Sequence, residues 1–205
     1  MDPATSGYGL ALWLELDPSF LPSWMPQASS VADSLPPAVT VVQNPHLTLV
    51  ARLSATQAGA PEAFVAAAEE LVASIPAPFL LAPHQDIIHS PVKYAATDTA
   101  TTGLQALAVM FHEDGCGELF ALRAAAAAKF GLASSTEPTH GKYEPHMSIV
   151  YWTGAESSEY CRVGVDKFSV ASLAPLQVTS IKVMDTRSLN ATEWRCLKEI
   201  SLSKS

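Results

Sequence analysis

Two copies of one short pattern stand one hundred residues apart in this chain: Pro45-His46-Leu47-Thr48-Leu49-Val50 and Pro145-His146-Met147-Ser148-Ile149-Val150. In each copy a histidine and a hydroxyl residue lie two apart among apolar neighbours. Side chains alternate between faces along a strand, so His46 and Thr48 share one face, as do His146 and Ser148. The apolar residues between them point the other way, towards the core. A single His-x-Thr is weak evidence, since roughly one histidine in six shows it by chance. The doubled pattern, with its proline and three apolar positions, arises by accident in on the order of one chain in ten thousand or fewer.

Imidazole titrates near neutrality, so one histidine can take a proton from water while another gives a proton to a departing oxygen. Two strands from two similar lobes would bring them to a phosphorus atom from opposite sides, as in-line displacement requires. The Thr48 and Ser148 hydroxyls would donate to the non-bridging oxygens, where charge grows in the transition state. This is chemistry suited to opening a cyclic phosphodiester with water. Either histidine alone reads more simply as a half-buried strand residue with a satisfied ring. The pair carries the argument.

The elements that must position these residues follow from periodicity. Residues 9–16 alternate, with Leu10, Leu12, Leu14 and Leu16 on one face and Trp13 and Glu15 on the other. Pro18, Pro22 and Pro26 break up the next stretch, and a short helix is expected over 27–37 before Pro36-Pro37. Residues 39–53 read as one long strand bent at Pro45. Residues 61–75 read as a helix with Pro61 in its first turn and Pro76 as its stop. Extended chain is expected over 79–94, a polar loop over 97–103, a strand over 104–111 and an alanine-rich helix over 118–130 ended by Gly131. A strand over 143–152, a short helix over 157–165 and a closing hairpin of 176–185 with 193–202 complete the chain. Interleaved strands and helices with mostly antiparallel pairing predict an α+β fold.

The two motifs resemble the paired His-x-Thr/Ser signature of the two-histidine (2H) phosphoesterase superfamily. Within it, the chain resembles the fungal and plant cyclic phosphodiesterases at three further points. These are the strand Ala11-Leu12-Trp13, the run from Pro145 to Tyr151, and a hairpin carrying Ile181-Lys182-Val183 and Glu193-Trp194. The resemblance implies two pseudo-symmetric lobes of mainly antiparallel sheet, helices outside and a central cleft. It implies metal-independent hydrolysis of nucleoside 2′,3′-cyclic phosphates to 2′-phosphates, and of ADP-ribose 1″,2″-cyclic phosphate, a by-product of tRNA splicing. His46 and His146 would be catalytic, with His146 favoured as base and His46 as acid, and Thr48 and Ser148 would bind substrate. Some fungal relatives are assigned to the Golgi.

Two aromatic residues join the candidate site. Trp13 lies opposite the leucines of its strand, where it either contacts the nucleobase or packs as an edge-strand aromatic. Tyr151 falls five residues after His146, so strict alternation puts it on the wrong face, while the resemblance favours a substrate contact; only a bulge or the strand end reconciles the two. His84, His89, His112 and His140 lack such a setting and read as surface or satisfied residues, with His89 in a loop. His140 and His146 lack a third ligand at familiar spacing, so neither a metal nor another cofactor is expected.

Bulk properties narrow the partners. The chain has 205 residues and a net charge of −8, which argues against gripping a long nucleic acid through a basic face, whereas one small anionic nucleotide needs only a few local donors. One domain over 1–205 is expected, as a monomer. Three scattered cysteines suggest reduced thiols. The run 8–16 holds Glu15 and lacks a basic flank, so it reads as a strand rather than a signal peptide, and no run reaches the length of a membrane span. A cytoplasmic protein is the expectation. Two other functions fit less well: RNA end processing as a 2′,5′ ligase or exonuclease, and idle binding of a cyclic nucleotide.

Overall fold

The structure is a computed structural model that describes residues 9–36, 39–53, 59–75, 77–85, 87–91, 104–132, 143–153, 158–187 and 193–202. Its strands are β1 (Leu10–Leu16), β2 (Thr40–Val41), β3 (Leu47–Leu53), β4 (Phe79–Leu81), β5 (Ile87–Pro91), β6 (Leu104–Met110), β7 (His146–Thr153), β8 (Leu176–Asp185) and β9 (Arg195–Ser201). Its α-helices are α1 (Leu21–Asp33), α2 (Pro61–Ala73), α3 (Gly117–Lys129) and α4 (Ser158–Lys167). The α+β class is as expected.

The strands run in the order β4-β8-β1-β3-β7-β6-β5, with β2 against β7 and β9 against β8. Every pairing among the described residues is antiparallel. The sheet divides where β3 meets β7, because these two strands touch through the single pair Leu47↔Met147. One lobe holds β1, β3, β4, β8 and β9; the other holds β2, β5, β6 and β7. Neither lobe is a half of the chain. β5 pairs with β6 of the later half, while β8 returns to pair with β1 of the earlier one. The helices are interleaved too: α1 packs on β2 and β7, α3 on β3, α2 on β1 and β8, and α4 on β5 and β6.

All four helices cover one face of the sheet. Leu12, Leu14, Leu47, Leu49, Leu107, Met147 and Ile149 bury themselves there with Trp24 of α1, Phe64 of α2 and Leu119 of α3. Burial of each such side chain contributes roughly 1.5–3 kcal/mol, which is why alternation on β1 reports its core face faithfully. Gly131 and Gly9 each answer a geometric need. Gly131 ends α3 at φ +68°, a conformation glycine adopts without a Cβ penalty. A Cβ on Gly9 would overlap the Leu53 carbonyl oxygen.

Several expectations need correction. The helix after β1 spans Leu21–Asp33 rather than starting near residue 27. Pro22 occupies its first turn, and Pro26 removes only the bond to the Pro22 carbonyl. Trp24, Ala28 and Val31, all buried, bind the helix to the core, and Trp24 meets Phe168 edge-on at 4.7 Å. Tertiary packing thus overrides the prolines. The long strand over 39–53 is two strands with different partners, β2 on β7 and β3 on β1, because residues 43–46 turn between them. Residues 143–145 are extended lead-in rather than strand, since Pro145 cannot donate to a ladder. Extended chain over 79–94 resolves into β4 and β5, and His89 lies on β5 rather than in a loop. Residues 92–103 and His140 lie outside the described residues.

Candidate active site

β3 and β7 meet at Leu47 and Met147, whose side chains are fully buried on the helix side. That register sets His46 across from Ser148 and Thr48 across from His146, all four on the opposite face. The two motifs therefore form one polar cluster about a pseudo-two-fold axis through the Leu47–Met147 pair.

The symmetry extends to each ring. His46 Nδ1–H donates to the Asn44 carbonyl at 2.9 Å, and His146 Nδ1–H donates to the Glu144 carbonyl at 2.9 Å. A carbonyl only accepts, so each neutral imidazole carries its proton on Nδ1 and keeps the Nε2 lone pair for the site. These tethers explain the prolines of the motif. Pro45 and Pro145 have no N–H to extend a ladder, so pairing halts and the preceding carbonyl is left to a side chain. The two prolines were the available signal for the tethers, which spacing alone did not reveal.

It also extends to a bulge. Between Thr48 and Val50, β3 advances two residues while β1 advances one, from Trp13 to Leu12, so Leu49 is extra. Between Ser148 and Val150, β7 advances two while β6 advances one, from Ala108 to Leu107, so Ile149 is extra. A bulge reverses the alternation beyond it. Tyr151 is thereby returned to the face of Ser148, with whose side chain it hydrogen-bonds. Burial pushes its phenol above the usual tyrosine range, against that hydrogen bond. The parity objection to Tyr151 fails for this reason.

The aromatic residues break the symmetry. Trp13 is the cross-strand partner of Thr48, and its ring stacks on His46 with centroids 3.7 Å apart and planes 14° apart. The corresponding place beside Ser148 is held by Ala108, fully buried. Trp194 meets Trp13 edge-on at 5.7 Å. Of the two sequence-based readings of Trp13, the structure places it as a partner of His46, with one indole face taken up by the imidazole. On β8, Lys182 is the other cross-strand neighbour of Trp13 and pairs with Glu15 at 3.1 Å. Neither Lys182 nor Trp194 was singled out as a site residue from spacing.

Electrostatics follow this asymmetry. Burial, against the opposing Asn44 carbonyl and with smaller contributions from His146 and Lys182, lowers the His46 pKa from 6.5 to about 4. His46 is thus neutral through the neutral range, the state a general base needs.

His84 and His112 stack on each other at 4.0 Å, and both are exposed. Among the described residues, no three His, Cys, Asp or Glu side chains are grouped to hold a metal ion. Among the same residues, no helix is long and apolar enough to cross a membrane.

No protein-family model matches the sequence, and no curated protein sequence does so. Solved structures match nearly end to end. TT0787 of Thermus thermophilus aligns with a TM-score of 0.56 at 15% identity, covering 95% of this chain and 97% of its own. Usb1 of Kluyveromyces marxianus aligns with a TM-score of 0.57 at 14% identity, covering 96% and 98%. They share one fold with this chain. Escherichia coli LigT complexed with 3′-AMP aligns at 0.51 and 15% identity, covering 96% and 98%.

Proposed function

We propose that this chain is a 2H-type cyclic phosphodiesterase that hydrolyses nucleoside 2′,3′-cyclic phosphates to 2′-phosphates. ADP-ribose 1″,2″-cyclic phosphate is a second substrate in this reading. The observation that carries it is the pair of Nδ1-tethered imidazoles, each facing a hydroxyl of the other motif. Such a cluster supplies base, acid and two oxyanion donors from side chains alone. A small nucleotide suits the net charge of −8, and the 3′-AMP held by LigT on the same fold supports a ligand of that class.

The roles of the histidines are reversed here from the sequence-based preference. His46, held neutral by burial, takes the proton of the attacking water, and His146 protonates the departing oxygen. Thr48 and Ser148 donate to the non-bridging oxygens. Tyr151 packs against the nucleoside beside Ser148, and Trp13 holds His46 in place.

The test is incubation with 2′,3′-cyclic AMP in the presence of EDTA, with products resolved against authentic 2′- and 3′-AMP. Release of 2′-AMP is expected. No turnover would leave only binding, and a loss in EDTA restored by zinc would replace the mechanism. A predominant 3′-AMP product would mean that the nucleotide lies reversed between the lobes.

A further inference from the structure

Beyond Leu47, β3 parts from β7 and keeps β1 as its strand partner. In the other lobe the carbonyl of the bulged Ile149 receives the Val42 N–H at 3.0 Å, a backbone bond beside β2. The equivalent carbonyl of Leu49 instead receives the Arg123 guanidinium of α3, at 2.9 Å. The adjoining Thr48 carbonyl receives the Tyr143 hydroxyl at 3.2 Å. Arg123 lies over the Tyr143 ring, 5.0 Å from its centroid, and Phe120 closes the ring's edge at 5.6 Å. At the bulge, the Arg123 side chain thus does in one lobe what backbone does in the other, and Tyr143 adds a second hold beside it.

We propose that Arg123 and Tyr143 are positioning residues that pin the Leu49 bulge and hold the Thr48 hydroxyl and His46 in place against His146. This rests on the proposed reaction at the same site. The physical reason is that a bulge decides on which face the neighbouring side chains emerge, and a slip of one residue turns them over. With neither carbonyl held, the bulge at Leu49 can migrate or relax, and Thr48 then leaves the site. Tyr143 also ties the motifs to each other. It stands three residues before His146, and the carbonyl of Glu144 between them accepts the His146 Nδ1–H. One short segment therefore grips the backbone of the first motif and the ring of the second. Among the described residues, no carboxylate pairs with Arg123, so its charge is directed at the Leu49 carbonyl and the Tyr143 ring. Burial pushes the Tyr143 phenol far up, which keeps it a donor.

The test uses Tyr143→Phe, which removes one hydroxyl, and Arg123→Ala. A displacement near 1 Å at reacting groups reduces rates by up to about 100-fold. We expect kcat on 2′,3′-cyclic AMP to fall about 10- to 100-fold in each variant, with KM within roughly threefold and the acidic limb of the pH profile unmoved. Guanidinium ion at low millimolar concentration should restore part of the Arg123→Ala rate. Proton–carbon NMR of the Thr48 methyl and the two imidazoles provides a readout without any substrate. These resonances should shift in both variants while the remaining spectrum stays folded. A wild-type protein without turnover would sink the proposed function, yet the NMR comparison would still decide the positioning role. Unshifted Thr48 and histidine resonances would overturn it. So would rates within twofold of wild type, or rate losses that follow only the fraction unfolded.

Discussion

Leu47 and Met147 form the single register pair between β3 and β7, and both are fully buried beneath the polar cluster they organise. The pair maps onto itself under the internal repeat. It therefore marks the axis about which His46 and Thr48 are related to His146 and Ser148. Core packing at this one contact sets how far apart two imidazoles on different lobes must stand.

His46→Ala and His146→Ala should each lower kcat/KM by about 100- to 10,000-fold, the usual contribution of a positioned acid or base. Circular dichroism should show an unchanged fold. Retention of more than roughly a tenth of wild-type activity in either variant would remove that histidine from the mechanism. The roles separate with a cyclic phosphate whose leaving atom is sulfur, which departs without a proton. It should rescue His146→Ala and leave His46→Ala inactive; the opposite pattern would exchange acid and base.

The His46 pKa of about 4 predicts an acidic limb of kcat/KM well below the usual histidine range. Trp13→Ala should move that limb upward, towards 6.5, because water regains the ring. Loss of a cation–π attraction works against this, at about 0.5–2 kcal/mol. The net depression from 6.5 to about 4, in which burial is the largest cause, corresponds to something on the order of 3 kcal/mol, so the upward shift should win. A limb that stays in place or moves down would show that the indole does not shield His46.

Stability has a matching pH dependence. The folded His46 pKa lies below its unfolded value of 6.5, so the unfolded chain binds the proton first. The contribution of neutral His46 is whole above 6.5 and is lost as pH falls to about 4. Chemical denaturation at pH 7 and pH 4 should show a smaller loss of stability in His46→Ala than in wild type; an equal loss in both would exclude His46 as a source.

Thr48→Ala and Ser148→Ala should each reduce kcat by roughly 10- to 1,000-fold, as lost oxyanion donors. Ser148 also bonds Tyr151, so Tyr151→Phe should act mainly on KM. If both hydroxyl variants were silent, the phosphate would have to be held by other groups.

Gly9→Ala should destabilise the protein by about 1–3 kcal/mol or more, as overpacking does, because the new Cβ overlaps the Leu53 carbonyl and must part β1 from β3. The Thr186 N–H and hydroxyl both bond the Gly9 carbonyl, so displacement there loosens β8 as well. An unchanged Tm would show that the chain entering β1 yields freely.

The sequence by itself determined what depends on local pattern. Alternation on residues 9–16 marked the buried face of β1, helical spacing marked Phe64, Ala68, Leu71 and Val72 on α2, and Gly131 marked the end of α3. The repeated His-x-Thr/Ser marked the four polar residues that the fold brings together. Other features were decided by contacts distant in sequence. Pro26 stays inside α1 because Trp24 is buried against Phe168, a partner far along the chain. Tyr151 reaches Ser148 because β6 pairs with β7 around an extra Ile149, and no alternation rule announces where a bulge falls. The two halves exchange β2 and β5 for β8 and β9, which only long-range pairing could settle. The distinction between two nearly identical histidines lies outside their motifs altogether: Trp13 of β1 stacks on His46, while its counterpart on β6, the Ala108 opposite Ser148, carries no ring. Burial, and with it the charge state of His46, is a property of that tertiary neighbourhood.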